Sequence, residues 1–336
     1  MDIEEFSDVF RKYRETRVLH TAIQLNLFEL LQEGATAKEI ASRAESDERA
    51  TEKLLNALVS LNVIEKRDGK FFHTDLSQKY LTKDGEHSKY FGFLHTTHGW
   101  DSWNDLPTIV KTGELPERAR GFDDPERYRA FILAMHDHQK NQAADVVKQL
   151  PVKPGMKILD CGGGPGTYAH AFAEEYPECD ATLFDLPDAI NIAKEIHGEN
   201  APIEYIGGDF FKDDLGGPYD LIFLSNIIHS WSPEENQQLF QRLSDALNPE
   251  GKLIIRDRFL DEDKSGPKPA VLFSLHMLVN NLVGSCYTVS EVKDWMRAVS
   301  IYHVKYESLE ENTEIVSGEK MDLGFADDWD EDSAEN

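Results

Sequence analysis

The chain has 336 residues, 40% of them hydrophobic, which is enough for two domains with buried cores. No apolar run approaches the ~18 residues of a membrane span, and the opening Met1-Asp-Ile-Glu-Glu5 has no basic region followed by an apolar one, so a soluble chain without a secretory signal is expected. A formal charge of −27 repels phosphate backbones and anionic headgroups alike, so neither nucleic acid nor membrane is an expected partner.

Part of that charge is local: Met321 to Asn336 carries seven acids and no base, the composition of a solvated, disordered tail. The rest fits either a saline cytoplasm or an ordinary acidic composition. Cys161, Cys179 and Cys286 are odd in number and form no C-x-x-C pair. Neither a disulfide framework nor a metal site is therefore expected, and a reducing cytoplasm is the default location.

In chain order, residues 1 to about 32 read as helix, with Phe6, Val9, Phe10 and Tyr13 on one face and Leu19, Ala22, Ile23, Leu27 and Leu30 further on. Thr36-Ala-Lys-Glu39 is a capping box for a short helix ending at Ala44, and Asp47 caps a second helix bearing Leu54, Leu55, Leu58 and Leu61. Val63 to Thr74 reads as a hairpin turning at Asp68-Gly69. Helix, helix and hairpin make a winged helix over residues 1–84. Its second helix mixes Arg49 and Lys53 with Asp47, Glu48 and Glu52 and offers no basic face to DNA. The long apolar first helix instead calls for a partner, which a second copy of the chain would supply.

Residues 85–150 read as a helical connector rich in aromatics, either domain-interface core or in part the wall of a pocket for a flat substrate. His95, His98, His136 and His138 lack a spaced carboxylate or cysteine partner for a metal. From Met156 the pattern alternates. Strands are predicted at 157–160, 181–185, 203–206, 220–224 and 252–257 with helices between, the signature of a doubly wound parallel α/β sheet over 151–320. Two helices, over 272–283 and 289–299, and a hairpin over 302–316 complete it.

Lys157-Ile-Leu-Asp-Cys-Gly-Gly-Gly-Pro-Gly166 is the stretch that carries chemistry. A strand ending in Asp160 opens onto glycines that let the backbone turn at positive φ and let a ligand lie against the main chain near a helix N-terminus. Glycines 162 and 164 are followed at the third fingerprint position by Thr167, which weakens a pyrophosphate reading. Asp185, nineteen residues after Gly166, ends the next strand, where a carboxylate can hold ribose hydroxyls. A nucleoside without a pyrophosphate fits. Asp160, Asp185, Asp209 and the segment after Leu224 all fall at carboxyl ends of strands and are expected to meet in one crevice. Just past Leu224, a neutral imidazole at His229 could take a proton from a phenol or enol.

With Asp185-Leu-Pro187 and Gly208-Asp-Phe-Phe211, this order resembles class I S-adenosylmethionine-dependent methyltransferases. Ser225-Asn-Ile-Ile-His-Ser-Trp231 narrows the resemblance to the small-molecule O-methyltransferases, among them plant caffeate and flavonoid, acetylserotonin and bacterial polyketide-tailoring enzymes. Asp105-Leu-Pro107, Thr112-Gly113, Ala134-Met-His-Asp-His138 and Met277-Leu278 extend it over nearly the whole chain. The resemblance implies a Rossmann-like methyltransferase domain behind a winged-helix dimerisation domain, a homodimer, and S-adenosyl-L-methionine as cofactor. His229 would be the base and Asp257 its orienting acid. Asp160, Gly162, Gly164, Asp185, Leu186, Asp209, Phe210 and Ser225 would form the cofactor site, and Met135 and Asn281 would face the substrate.

One departure stands out. A second acid of the family falls on Cys286, and its arginine on Tyr287. Two readings of the chemistry remain besides plain O-methylation: a more acidic or carbon-centred nucleophile, or a relative that uses the cofactor without methylating. A cofactor-sensing DNA regulator built on the winged helix is the rival from another class.

Overall fold

The computed structural model describes residues 2–116, 124–309 and 313–321, and divides the chain into two compact units, Met1–Leu106 with Arg118–Asn141, and Pro107–Glu117 with Gln142–Asn336. The segment 85–150 is thus shared between the two units. Beyond Met321, the acidic tail expected at 321–336 lies outside the described residues.

The first unit opens with α1 (Ile3–Arg11), started by an Asp2–Glu5 capping box, and α2 (Tyr13–Gln24). The expected single helix therefore ends early. Asn26 adopts φ 55°, a left-handed conformation that asparagine tolerates, and only a 3₁₀ turn, Leu27–Leu30, follows. After β1 (Ala35–Thr36) come α3 (Ala37–Arg43), α4 (Glu48–Ser60), β2 (Ile64–Arg67) and β3 (Lys70–His73), in a sheet ordered β1-β3-β2. Asp68 and Gly69 both take positive φ, as a two-residue hairpin demands. The capping boxes at Thr36 and the cap at Asp47 are present. β1 went unpredicted because two residues show no period.

Ile23, Phe28, Ile40, Leu55, Leu58 and Phe71 form the core of this winged helix. α5 (Asp75–Tyr80), α6 (Tyr90–Asn104), α7 (Leu106–Thr112) and α8 (Pro125–Gln139) follow. The buried Asp137 carboxylate of α8 accepts the Phe91 and Gly92 N–H groups at the start of α6 and the Lys140 ammonium at 2.6 Å. By contrast α1 buries nothing, and Ile3, Phe6, Val9, Phe10 and Tyr13 all stay exposed.

The second unit begins with α9 (Ala143–Lys148) and is built on a seven-stranded sheet. In chain order come β4 (Lys157–Cys161), α10 (Thr167–Glu175), β5 (Asp180–Asp185), α11 (Pro187–His197), β6 (Glu204–Gly207), β7 (Tyr219–Ser225), α12 (Pro233–Asp245) and β8 (Leu247–Arg256). There follow β9 (Phe259–Leu260), α13 (Lys268–Asn281), β10 (Tyr287–Thr288), α14 (Val289–Ala298), β11 (Ile301–Leu309) and β12 (Thr313–Lys320). The order is β11-β12-β8-β7-β4-β5-β6, parallel from β6 through β8 and antiparallel beyond.

Both faces of the central strands are buried, which explains their apolar runs. Ile222, Leu224, Leu253 and Ile255 pack with Leu239, Phe240, Trp295 and Met296 on one face; Ile158, Leu221, Phe223 and Ile254 pack with Val146, Val147 and Phe172 on the other. The chain winds outward from β4 to β6 and returns at β7, so the carboxyl ends of β4 and β7 flank the switch point where ligands bind in such sheets. β9 and β10 form a separate parallel pair that the sequence did not announce. Among the described residues, no helix is long and apolar enough to cross a membrane.

Candidate active site

β4 ends at Cys161 and the loop to α10 takes positive φ at Gly162, Gly164 and Gly166. Close approach adds to the demand. A Cβ on Gly162 would lie 2.7 Å from Ile227 Cδ1, and one on Gly163 would lie 2.4 Å from Asp160 Oδ2. Asp160 is buried behind this loop, where Oδ2 accepts the Ala169 N–H of α10 at 3.0 Å and Oδ1 has no partner. Burial pushes its carboxyl up to about 7, against the Ala169 N–H bond, with the nearby Asp185 charge adding to the rise.

Asp185, at the tip of β5, ties the loop to the neighbouring strand. Its Oδ2 accepts the Gly164 N–H at 2.7 Å and its Oδ1 the Leu186 N–H at 2.6 Å. Burial raises this carboxyl too, while the two N–H bonds hold it down. Leu186 is exposed beside it. Asp209 follows β6 and is bound by its own turn: Lys212 donates at 2.7 Å and the Phe211 N–H at 2.9 Å, and both keep its carboxyl below the usual range. The Phe210 ring meets Phe211 and Trp231 edge-on, with an edge 3.6 Å from where a Gly162 Cβ would lie. Asp160, Asp185 and Phe210 thus close on the loop of Gly162 and Gly164, while Asp209 stays within its own turn after β6.

β7 ends at the buried Ser225, after which Asn226 takes φ 58° and Ile227 turns back onto Gly162. A 3₁₀ turn, Ile228–Ser230, then carries His229. His229 Nδ1 lies 2.7 Å from Asp257 Oδ1 and 3.0 Å from Oδ2, and both side chains are buried. The Arg258 N–H donates to the same carboxylate at 2.8 Å. With Nδ1 held by an acid, Nε2 is the nitrogen placed to accept a proton.

Cys286 is buried near this pair, and burial, with the Asp257 charge, pushes its thiol up to about 11. It therefore adds no negative charge at neutral pH. Tyr287, its hydroxyl donating to the Trp231 carbonyl, braces the segment after His229. Asn281 does similar work: its amide donates to the Ser230 carbonyl at 3.0 Å and accepts the Gly284 N–H at 2.8 Å. Met135 sits half-buried on α8 in the first unit.

Several residues escaped the sequence reading. Phe273 meets the His229 ring edge-on at 4.9 Å, with the Arg258 guanidinium 4.3 Å from its ring centre and His276 stacked at 5.6 Å. Burial, and after it the neighbouring His229, lowers the His276 pKa. Asn236, buried within α12, donates to the Ile228 and Trp231 carbonyls and so fixes the turn bearing His229. A polar residue on the inward face of an amphipathic helix was the one available signal for it. Among the described residues, no group of His, Cys, Asp or Glu is arranged to hold a metal ion.

The profile of the O-methyltransferase domain matches residues 116–297, and that of the O-methyltransferase dimerisation domain matches 7–83. A 3-hydroxy-5-methyl-1-naphthoate 3-O-methyltransferase of Streptomyces sahachiroi is 30% identical over 302 residues, covering 87% of each chain. Acetylserotonin O-methyltransferase of Gallus gallus is 32% identical over 285 residues, 79% of this chain and 82% of its own. The fold is that of human N-acetylserotonin methyltransferase, solved in complex with SAM, with a TM-score of 0.85, 24% identity and coverage of 96% and 99%. Matched by both family profiles, and 30% identical to the naphthoate enzyme over 87% of its length, the chain belongs to the O-methyltransferase family, with that family's dimerisation domain at residues 7–83.

Proposed function

We propose that this O-methyltransferase moves the methyl group of S-adenosylmethionine onto a hydroxyl of a small aromatic molecule, with His229 as the base and Asp257 as the acid that orients it. The observation that carries the mechanism is the 2.7 Å contact between His229 Nδ1 and Asp257, on a turn whose neighbour Ile227 packs against Gly162.

The residues present fit the cofactor. Each Asp185 oxygen accepts one N–H and a carboxylate offers about four acceptor positions, so two remain for the two ribose hydroxyls. Asp209 and Phe210 would meet the adenine, while Gly162, Gly164, Leu186 and Ser225 would follow the rest of the molecule, with Asp160 beneath the loop. When bound, the cofactor supplies an electrophilic methyl on a sulfonium.

His229 Nε2 would take the proton of the acceptor hydroxyl as that oxygen receives the methyl group. Asp257 holds the tautomer and stabilises the imidazolium. Proton removal in a buried, oriented pair contributes about 10²–10⁴ to the rate; holding the two reactants in contact contributes the larger share. Asn281 would belong to the acceptor side. Asn281 already spends one N–H and one lone pair on Ser230 and Gly284, so its first role is to hold the His229 turn, with one N–H left for the acceptor.

Because Cys286 stays neutral, His229 has a single carboxylate behind it. That favours an acceptor hydroxyl more acidic than simple phenol, such as one conjugated to a carbonyl. The two relatives are named for a hydroxynaphthoate and for acetylserotonin, both hydroxylated aromatics.

Residues 1–84 would pair two copies, since the α1 face of Phe6, Val9 and Phe10 is apolar and exposed. Phe10→Glu should shift the protein from dimer to monomer in light scattering; an unchanged mass would remove α1 from the interface. The three cysteines are free and buried, which fits a reducing cytoplasm.

The deciding assay incubates the protein with S-adenosylmethionine and hydroxyaromatics of graded acidity, and follows S-adenosylhomocysteine and methyl ether together. Ether formed fastest with the more acidic acceptors supports the reading. Methylated carbon, or acceptor consumed with neither S-adenosylhomocysteine nor ether formed, would replace it.

A further inference from the structure

Arg256 ends β8 in register with Ser225, the last residue of β7. Its Nη1 reaches Ser225 Oγ only at 3.4 Å, its guanidinium lies 5.6 Å from the centre of the Tyr168 ring, and its Nε is buried with no hydrogen bond. Among the described residues, no carboxylate lies within ion-pair distance. The Tyr168 hydroxyl is buried beside it, with Ser225 as its polar neighbour. A half-buried cation without an anion, its Nε sealed from solvent and unbonded, is a costly arrangement that a folded chain keeps when a ligand completes it.

The place of the cluster says which ligand. Tyr168 is the second residue of α10, two residues beyond Gly166 of the glycine loop. Ser225 leads through Asn226 to Ile227, which packs on Gly162. The cluster therefore borders the loop where the nucleoside-bearing ligand is proposed to lie. Along β8, Arg256 alternates with Ile255 and shares its face with Ile254, which packs in the core containing Tyr168. The next residue, Asp257, turns to His229 instead.

Resting on the cofactor reading above, we propose that Arg256, with Ser225 and Tyr168, is the receptor for the α-carboxylate at the amino-acid end of the cofactor. The planar guanidinium presents paired N–H groups that match a carboxylate, the Tyr168 hydroxyl adds a third donor, and the Tyr168 ring supports the cation from one side. Two adjacent residues of one strand end would then serve the two ends of the reaction. Arg256 would anchor the cofactor, and Asp257 would orient the base.

The test compares two ligands on the full chain by calorimetry: S-adenosylhomocysteine, and 5′-methylthioadenosine, which has the same nucleoside and sulfur but no amino-acid end. Arg256→Met should weaken S-adenosylhomocysteine by about 10- to 100-fold and leave methylthioadenosine unchanged, and Arg256→Lys should recover part of the loss. Tyr168→Phe, which keeps the ring, should give a smaller loss with the same selectivity, and serves if Arg256→Met does not fold. Equal weakening of both ligands, or none of either, overturns the proposal. Wild-type affinity for S-adenosylhomocysteine judges the cofactor reading separately: if it is strong while the variants lose nothing, only the Arg256 assignment falls, and if it is absent both fall.

Discussion

The two sides of the crevice are made of different material. On the β4–β5 side the chain presents main chain: a loop with positive φ at Gly162, Gly164 and Gly166, pinned to the next strand by Asp185 through the Gly164 and Leu186 N–H groups. On the β7–β8 side it presents side chains: His229 on Asp257, the turn held by Asn236 and Asn281, and Phe273 against the imidazole. A backbone cradle tolerates little change of shape but holds a ligand whatever reaction follows. A side-chain constellation can be retuned by one substitution, and the Cys286 position illustrates where such retuning would act.

If the division is real, the two sides should fail differently. His229→Ala should lower kcat by about 10²–10⁴ with calorimetric affinity for S-adenosylhomocysteine intact. A loss smaller than tenfold would remove His229 from proton transfer. Asp257→Asn should lower kcat by up to about 10⁴-fold, because the amide can donate to Nδ1 and select the tautomer whose Nε2 already carries a proton. Unchanged turnover in that variant would mean the carboxylate does not set the tautomer.

Asp185→Ala should do the reverse and weaken cofactor binding by about tenfold or more, with kcat at saturating cofactor much less affected. A kcat defect without a binding defect would break the division outright.

The smallest effect concerns stability. The Asp160 carboxyl, at about 7 in the folded chain, stands above its unfolded value of about 3.9. The folded state therefore holds the extra proton between those values. The stability this confers is complete below the unfolded pKa, is lost as pH rises toward 7, and stays lost above it. Asp160→Asn keeps a carbonyl for the Ala169 N–H and carries no charge, so it should melt roughly 4 °C or more above wild type at pH 8, with the gap closing toward pH 4. A constant gap across that range would mean that Asp160 titrates as an ordinary carboxyl.

Much of the fold was readable because it rests on local rules. The capping boxes at Thr36 and the Asp47 cap, the Asp68-Gly69 turn and the alternation of apolar runs with helical spacing each involve residues close in sequence. The early end of α2 was not readable, since Leu25 and Asn26 carry no proline or glycine to mark it. β1, β9 and β10 were missed for a related reason: strands of two residues exist only through their partners, Phe71 and Lys70 for β1, and each other for β9 and β10.

The site divides along the same line. By itself the sequence determined the glycine loop, the acids at the strand tips and the family, because left-handed backbone needs glycine and a parallel strand must end where its ligand begins. Tertiary structure alone decided the rest. It placed Asn236, Phe273 and Arg256 around that loop and His229 from positions 9 to 46 residues beyond the last loop-facing residue, Ile227. Their roles come from strand register and helix packing, and no local pattern records which distant side chain a buried donor or acceptor will meet.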